Sequence, residues 1–167
     1  MANNCFYTMK IKGSKKNCYK WLDKMRDYEE ENHFWRIFNA DVYDEFGTDE
    51  EYTMYIDGDC AWSLASCCLE GGYSNKDLFA LHTKELNLEM EAYSEECGLE
   101  FAEHYLYRNG VCILDECVHY HEVYWDKDIH PTYAEFKKEH PDAPPEDELI
   151  KNDYWYSVGG FNAVFNI

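Results

Sequence analysis

The stretch from Leu86 to Trp125 constrains the fold most, because it predicts three antiparallel strands in succession. Apolar and polar residues alternate from Leu88 to Tyr93, which is the period-two pattern of a strand with one buried face. An aromatic-rich second strand over Leu99–Tyr107 leads to Asn109-Gly110, and Asn-Gly tolerates the positive φ angles of a type I′ hairpin turn. A long third strand follows over Val111–Trp125. The sequence therefore predicts a sheet built on antiparallel hairpins.

The residues before this stretch predict further strands and two main helices. Strands are predicted over Cys5–Lys12, Phe34–Val42 and Tyr52–Ile56, and helices from an N-cap at Ser14 to about Glu31 and from an N-cap at Ser74 to about Glu85. Asp57-Gly58-Asp59 is predicted to be a turn, and Ala61–Leu69 a short apolar helix or buried connector. This order, with an added β-hairpin, predicts an α+β fold: a ferredoxin-like antiparallel sheet with two main helices and a C-terminal extension.

At 167 residues the chain is predicted to be one domain with an extension. Residues 1–125 are predicted to form the ferredoxin-like α+β domain, and residues 126–167 a C-terminal helix and aromatic extension that packs on the same domain. Within the extension, Pro131-Thr132 opens a short helix, and the prolines from Pro141 to Pro145 make a stiff connector.

The charge balance restricts the kinds of partner. The chain has 34 acidic and 15 basic residues, a formal net charge of −19. Such a chain disfavours direct binding to nucleic acid, because phosphate binding needs Lys and Arg to release counterions, and it disfavours an anionic membrane for the same reason. The predicted partner is therefore basic: a cationic protein surface or a metal cation.

The eight cysteines raise the question of a secreted, disulfide-bonded fold. The N-terminal sequence MANNCFYTMK lacks the charged and then apolar segment of a secretion signal, and no apolar run is long enough to span a bilayer. We therefore expect a cytoplasmic protein with reduced thiols, most of which fill the core.

Three segments resemble one known family. They are Asn4–Gly13, similar to a first strand that begins near Asn and closes on Gly; Ala61-Trp62-Ser63, like a Trp-Ser before the second helix; and Gly98–Tyr105, similar to a Gly-x-x-Phe-Ala-Gly-x-Tyr strand before an Asn-Gly hairpin. The family is the YubB ferredoxin-like domain family of phages, plasmids and bacteria, and the resemblance covers about residues 3–125. Glu103 stands where its pattern has Gly, and the proline after Trp-Ser is missing. The resemblance implies a ferredoxin-like accessory protein of a mobile element, without catalytic residues.

A metal site is one alternative that the residues offer. Cys117, His119 and His121 alternate along one predicted strand, so their side chains leave the same face at intervals of about 7 Å, and Cys112 or His104 could supply a fourth ligand. Zinc accepts such ligands in tetrahedral sites. Structural zinc sites usually draw ligand pairs from tight turns, however, and this spacing is also found on ordinary strand faces. We therefore predict no metal and no other cofactor.

Catalysis has weaker support in the sequence. A Cys-His hydrolase needs a thiolate beside a positioned imidazole, and no flanking signature selects one of the many possible pairs. Asp57-Gly58-Asp59 lacks the remaining ligands of an EF-hand, and there is no Gly-rich phosphate loop. The sequence therefore predicts a protein that is not an enzyme.

The size of the negative charge favours a different function. A small domain needs a net charge of about 2–8 for solubility, and −19 exceeds this. Carboxylates two apart on a strand edge, such as Glu89 and Glu91, or four apart on a helix, such as Asp27 and Glu31, lie about 6–7 Å apart and can imitate a row of phosphates. Such a surface fits a cleft lined with Lys and Arg, to which electrostatic attraction would steer it.

The sequence thus predicts a non-enzymatic inhibitor from a phage or mobile element that acts as a DNA mimic. Its most concrete version is an anti-CRISPR protein that binds the basic nucleic-acid cleft of a Cas9-type defence nuclease. The predicted contacts lie in an acidic loop, on a strand edge and at a charged helix start: Tyr43, Asp44, Glu45, Phe46, Asp49, Glu50, Glu51, Glu89, Glu91, Glu95, Glu96, Glu146, Asp147 and Glu148. Tyr154 is a further predicted aromatic anchor. The alternative is a metal-binding or regulatory accessory domain of a plasmid or phage, centred on Cys112, Cys117, His119 and His121.

Overall fold

The computed structural model describes residues 3–27, 33–159, 165 and 167. Within these residues the chain is an α+β protein with seven strands in one antiparallel sheet and five helices. In chain order the elements are β1 (Asn4–Gly13), α1 (Lys15–Arg26), β2 (Ile37–Gly47), β3 (Tyr52–Ala61), α2 (Leu64–Cys68), α3 (Leu78–Glu85), β4 (Glu89–Glu96), β5 (Phe101–Arg108), β6 (Val111–Tyr124), α4 (Tyr133–Glu139), α5 (Glu146–Lys151) and β7 (Trp155–Gly159). The strand order is β2-β3-β1-β4-β5-β6-β7. The α+β prediction is confirmed, and the sheet is larger than that of a ferredoxin-like fold.

The side chains of strand β1 alternate between the two faces of the sheet. One side of β1 is buried in the main core with α1, α2 and α3, and its side chains are Cys5, Tyr7, Met9 and Ile11. We call the opposite side of β3, β1, β4 and β5 the outer face, and β1 contributes to it Phe6, Thr8, Lys10 and Lys12. This alternation confirms the strand predicted over Cys5–Lys12.

Helix α1 begins where the sequence predicts. The side chain of Ser14 accepts a hydrogen bond from the Asn17 backbone N–H, which satisfies one of the free donors of the first turn. The helix buries one stripe of side chains in the main core: Cys18, Trp21, Leu22 and Met25. It ends at Arg26, because Asp27 leaves the helical conformation with φ −109° and ψ 101°. The prediction that the helix continues through Asp27 is therefore wrong, and Glu31, its predicted end, lies outside the described residues.

Helix α3 begins three residues later than predicted. Its N-cap is Asp77, whose Oδ1 accepts from the Ala80 N–H at 2.9 Å, and Ser74 lies in the preceding turn. The second carboxylate oxygen of Asp77 accepts from the Tyr107 hydroxyl at 2.9 Å, which ties the helix start to β5. Both residues can cap a helix, and the contact with the sheet accounts for the choice of Asp77.

Strands β2 and β3 are both longer than the sequence predicts. The sequence predicts a loop over Tyr43–Phe46, but Asp44, Glu45 and Phe46 pair with Tyr55, Met54 and Thr53 of β3. Only residues 48–51 form the turn, closed by a hydrogen bond of 2.9 Å from the Thr48 N–H to the Glu51 carbonyl. The acidic segment is therefore the end of a hairpin.

The predicted turn at Asp57-Gly58-Asp59 is wrong, because these residues lie inside β3. The Tyr7 hydroxyl passes beside Gly58 and donates to the Asn39 carbonyl on β2 at 2.5 Å. A Cβ atom at Gly58 would lie 2.0 Å from that carbonyl oxygen and 2.4 Å from the Tyr7 hydroxyl. Glycine at this position thus leaves room for a bond that joins the first three strands of the sheet.

The Asn109-Gly110 turn has the predicted geometry, since φ is +46° at Asn109 and +84° at Gly110. The prediction that Glu89–Glu96 forms a strand edge is wrong. Strand β4 is the central strand of the sheet and pairs with β1 on one side and β5 on the other, so that Glu91 lies opposite both Lys10 and Leu106.

Residues 126–159 extend the far side of the sheet and enclose a second, smaller core. Strand β7 pairs antiparallel with β6, and the core contains Trp125, Phe136, Ala143 and Leu149. Helix α4 begins with a capping box, in which Thr132 and Glu135 bond each other's backbone N–H groups. This confirms the short helix predicted after Pro131.

The two described residues near the C-terminus lie on the outer face. The Phe165 ring packs edge-on against Tyr55, with 5.7 Å between ring centroids. The backbone of Ile167 accepts a hydrogen bond from the Lys10 ammonium group and donates to Glu91 Oε2 at 3.4 Å. These contacts cover the middle of the face. Among the described residues, no helix has the length and apolar character to cross a bilayer.

Candidate functional site

The most exposed group of predicted contact residues lies at the end of the β2–β3 hairpin. We call residues 41–51, the second half of β2 and the turn, the acidic hairpin. Its carboxylates are exposed because β2 has a neighbouring strand on one side only. Six of them lie within eleven residues: Asp41, Asp44, Glu45, Asp49, Glu50 and Glu51. The structure thus places the predicted contacts of this segment together on an accessible surface.

Two of the six carboxylates of the acidic hairpin contact side chains of α1. Glu45 faces α1, where its Oε2 accepts a hydrogen bond from the Tyr19 hydroxyl at 2.7 Å. This bond lowers the pKa of the Glu45 carboxyl and raises the pKa of Tyr19. Asp41 forms an ion pair of 3.7 Å with Arg26, and both side chains are at least half exposed. Glu45 therefore stays ionised at neutral pH and contributes to the negative field.

Two aromatic side chains accompany these charges. Tyr43 and Phe46 are 54% and 56% exposed, so the structure places both predicted anchors at the surface. Their rings flank the Tyr55 ring on the outer face, at centroid distances of 5.8 and 6.2 Å. Exposed aromatic side chains held by neighbours are typical anchor residues of protein interfaces.

The start of β4 approaches the same end of the sheet. Glu50, Glu51 and Glu89 line one groove of about 310 Å³ together with Lys12 and Arg108. Arg108 Nε lies 4.0 Å from Glu89 Oε1. The groove therefore carries both signs of charge, and Glu89 is partly neutralised where it meets the acidic hairpin.

The other acidic residues of β4 have structural surroundings. Glu91 is fully buried and its Oε1 lies 2.8 Å from His104 Nε2, while the buried Glu96 accepts from the Leu99 backbone N–H. Glu95 is half-buried and accepts from the Tyr93 hydroxyl at 2.5 Å. The prediction that Glu91 and Glu96 project from an edge to a partner is corrected by the central position of β4.

The third predicted acidic segment lies far along the sheet from the acidic hairpin. Glu146, Asp147 and Glu148 are exposed in the first turn of α5, where carboxylates favour the positive end of the helix dipole. Glu148 lines a groove of about 470 Å³ beside β7. Tyr154 is half-buried and packs on Trp125 and under Lys127, so it belongs to the small core and is not an exposed anchor.

The four residues of the metal alternative do not form a ligand cluster. Cys112 and Cys117 are exposed on β6 and lie five positions apart along the strand, which corresponds to about 16 Å. His104 lies on the opposite side of the sheet from Cys117, whose cross-strand partner is Glu103. No group of three or more His, Cys, Asp or Glu residues in the described ranges has a metal-binding arrangement.

The surroundings of Cys117 also disfavour a reactive thiolate. Burial, followed by the nearby Glu103 carboxylate, raises the pKa of the Cys117 thiol. A higher thiol pKa lowers the fraction of nucleophilic thiolate at neutral pH.

Glu103 is an important residue whose role the sequence did not reveal. Its buried carboxylate accepts four hydrogen bonds: 2.8 and 3.2 Å from the backbone N–H groups of Leu64 and Ala65, 2.6 Å from the Ser94 hydroxyl and 2.9 Å from the Tyr105 hydroxyl. Burial, and then Glu103 itself, raises the pKa of Tyr105, so that hydroxyl remains a donor. The available signal was that Glu103 replaces the Gly of the resembled pattern.

Comparison with known proteins adds no relative from which a site could be transferred. No family model, no curated protein and no solved structure matches the chain. The resemblance to the YubB ferredoxin-like domain family stays a prediction.

Proposed function

We propose that the protein is a non-enzymatic inhibitor that binds the basic nucleic-acid cleft of another protein as a DNA mimic. The observation that carries this proposal is the acidic hairpin, which presents six carboxylates and two exposed aromatic rings within eleven residues. In this proposal the carboxylates meet Lys and Arg side chains that ordinarily hold phosphates, and Tyr43 and Phe46 take the place of stacked bases. The net charge of −19 speeds the encounter with a basic cleft.

The acidic hairpin supports this proposal better than the other predicted segments do. Its carboxylates extend from one end of the sheet, whereas Glu91 and Glu96 are buried between strands. Glu146–Glu148 is exposed but stabilises its own helix start. We therefore restrict the contact surface to the acidic hairpin, with Glu89 at its margin.

The target in the most specific form of this proposal is an RNA-guided defence nuclease of the Cas9 type in the bacterial cytoplasm. Such enzymes hold nucleic acid in channels lined with Arg and Lys. The choice of target depends on the resemblance to a protein family that is found in phages and plasmids. The order β2-β3-β1-β4, with α1 between β1 and β2 and α3 between β3 and β4, supports a ferredoxin-like core within the larger sheet and thereby that resemblance.

The proposal is tested by affinity capture at rising ionic strength. The immobilised protein is incubated at low salt with a purified Cas9–guide RNA complex, and washed with salt or with duplex DNA that carries the target sequence. We expect salt-dependent retention and elution by the DNA, because both ligands would occupy the same cleft.

Charge-matched variants locate the contact. Asp49→Asn/Glu50→Gln/Glu51→Gln removes three charges from the acidic hairpin, and Glu70→Gln/Glu116→Gln/Asp128→Asn removes three exposed charges elsewhere. We expect the first variant to elute at lower salt and the second to behave as the unmodified protein. Absence of retention, indifference to DNA or equal behaviour of both variants contradicts the proposal.

A further inference from the structure

The side chains of the outer face form rows that run across neighbouring strands. At the Asn4 end of β1, one row runs Asp59, Phe6, Glu95 across β3, β1 and β4, and the next runs Asp57, Thr8, Tyr93. Neighbours in such a row lie about 5 Å apart and can bind one ligand group together.

Charge divides the outer face into two halves. The rows around Lys10 and Lys12 combine cations with Glu91 and Glu89, and Ile167 covers part of them. The rows around Phe6 and Thr8 contain carboxylates without a Lys or Arg. Among the described residues, neither Asp57 nor Glu95 forms an ion pair. This half of the face is therefore acidic without internal neutralisation.

A groove of about 350 Å³ lies in this acidic half. Its lining combines aromatic rings, carboxylates and strand backbone: Phe6, Tyr7, Thr8, Asp57, Gly58, Tyr93 and Glu95. The Phe6 ring is 61% exposed, although β1 is an inner strand whose other side fills the core. The burial of Phe6 therefore contributes little to folding, and the ring remains available to a ligand.

One wall of the groove is fixed by a hydrogen bond. The Tyr93 hydroxyl donates to Glu95 Oε1 at 2.5 Å. Burial, followed by this bond, raises the pKa of Tyr93, so the hydroxyl remains a donor at neutral pH. The Glu95 carboxylate is thus held beside Phe6, with which it is paired across the strands.

We infer that this groove binds an arginine side chain of a partner protein. A guanidinium group can lie against the exposed ring of Phe6 and donate hydrogen bonds to the carboxylates of Asp57 and Glu95. Its planar shape, weak hydration and several fixed donors suit such a site better than the compact, strongly hydrated ammonium of lysine. Arginine is also among the residues that contribute most to protein interfaces.

The arginine groove and the turn of the acidic hairpin lie at opposite ends of β1. Phe6 and Lys12 are six residues apart on β1, so the groove lies about 20 Å from the turn at residues 48–51, although Asp41 at the start of the acidic hairpin pairs with Asp57 beside the groove. The inference does not depend on DNA mimicry, because the groove lies away from the turn carboxylates and is tested without a nuclease.

In the test the full chain is titrated with the pentapeptide Gly-Arg-Gly-Arg-Gly, whose two ends are chemically blocked so that only the arginines are charged. Binding is followed by the backbone amide shifts of the labelled protein. We expect the largest shifts at Phe6–Thr8, Asp57–Gly58 and Tyr93–Glu95. Shifts that are largest at residues 44–51 of the acidic hairpin, or that spread evenly over all acidic surfaces, overturn the inference.

Matched variants separate the groove from general charge attraction. Phe6→Ser leaves the charge unchanged, and Asp57→Asn/Glu95→Gln removes two charges. Each is expected to weaken peptide binding by about fivefold or more. Their controls are Phe38→Ser, at another exposed aromatic residue, and Glu50→Gln/Glu51→Gln. These are expected to change the affinity by less than about twofold.

A second peptide tests the choice of arginine. The same sequence with lysines carries the same charge but lacks the planar donor group, and we expect weaker binding and smaller shifts at Phe6. Equal affinity for both peptides, or equal losses in groove and control variants, overturns the inference. Circular dichroism spectra and unfolding midpoints confirm that each variant is folded.

Discussion

The carboxylates of the central strands and those of the acidic hairpin have opposite roles in this molecule. Glu103 and Glu91 lie inside the sheet, where neighbouring donors surround them. Asp49, Glu50 and Glu51 lie in the hairpin turn, where their side chains are exposed to solvent. A buried carboxylate must be matched by hydrogen bonds, whereas an exposed one keeps its hydration and its charge for a partner.

The comparison explains how so acidic a chain can fold. Some of its negative charges serve as acceptors that connect elements, as Glu103 connects β5 with the start of α2. Those in the acidic hairpin are placed at the end of an edge strand, where solvent and salt screen their repulsion. The number of acidic residues alone therefore overstates the surface available to a basic partner.

The largest effect is expected for Glu103→Ala. The change leaves the N–H groups of Leu64 and Ala65 and the hydroxyls of Ser94 and Tyr105 without their acceptor. Loss of a charged acceptor in a buried network lowers the free energy of unfolding by about 3–5 kcal/mol. Urea denaturation followed by circular dichroism measures the change.

Glu103→Gln is the matched control for this site. Glutamine preserves the size of the side chain and one acceptor oxygen, but its NH₂ group would face the N–H and hydroxyl donors around it. We therefore expect a loss of unfolding free energy between zero and that of Glu103→Ala. A loss below about 1 kcal/mol for Glu103→Ala would mean that water replaces the carboxylate, and the contrast with the acidic hairpin would fail.

A smaller effect is expected for Glu91→Gln. The change removes the charge that faces His104 Nε2 at 2.8 Å but keeps a polar side chain in the buried site. Removal of a charged hydrogen-bond partner costs about 1–3 kcal/mol. A double-mutant cycle with His104→Gln isolates the pair, and additive losses would show that the two side chains are not coupled.

Local signals in the sequence predict the ends of several elements correctly. Ser14 and Thr132 cap helices in the predicted positions, and Asn109-Gly110 forms the predicted turn. In each of these cases the deciding hydrogen bonds or φ angles involve residues close in the chain. The alternation of side chains along β1 also predicts the strand correctly, because a strand with one buried face has a period of two residues in its own sequence.

The errors concern pairing between distant residues. Glu89 and Glu91 alternate with apolar residues, which is also the pattern of a strand with a solvent-exposed face. Only the pairing of Glu91 with Lys10 and Leu106 shows that the strand is central and its acidic side partly covered. The neighbours of Gly58 in sequence predict a turn, whereas the role of this glycine depends on Tyr7, about fifty residues away. The arginine groove likewise combines three strands whose order the sequence does not specify.

A still smaller effect on stability is expected for Asp49→Asn/Glu50→Gln/Glu51→Gln in the acidic hairpin. These side chains are exposed, and removing like charges relieves repulsion. The free energy of unfolding is expected to change by less than about 0.5 kcal/mol or to increase. Urea denaturation at low and high salt measures this, and a loss above about 1 kcal/mol would show that the turn has a structural role.

The smallest change is expected from Tyr19→Phe. The variant removes the hydroxyl that bonds Glu45, and the pKa of that carboxyl is expected to rise toward its ordinary value. Because this pKa is depressed in the folded chain, the bond stabilises the fold above the pKa of the unfolded carboxyl. That stabilisation is lost as the pH falls through the folded pKa. Carboxyl carbon NMR shifts followed against pH measure the titration of Glu45 directly.

Tyr43→Phe provides the control for this titration, because Tyr43 is exposed on the same strand and its ring faces Tyr55. It is expected to leave the midpoint of Glu45 unchanged. If Tyr19→Phe also leaves it unchanged, the Tyr19 hydroxyl does not hold the carboxylate in solution. The comparison would then be one between buried carboxylates, which accept hydrogen bonds from neighbouring groups, and exposed carboxylates, which do not.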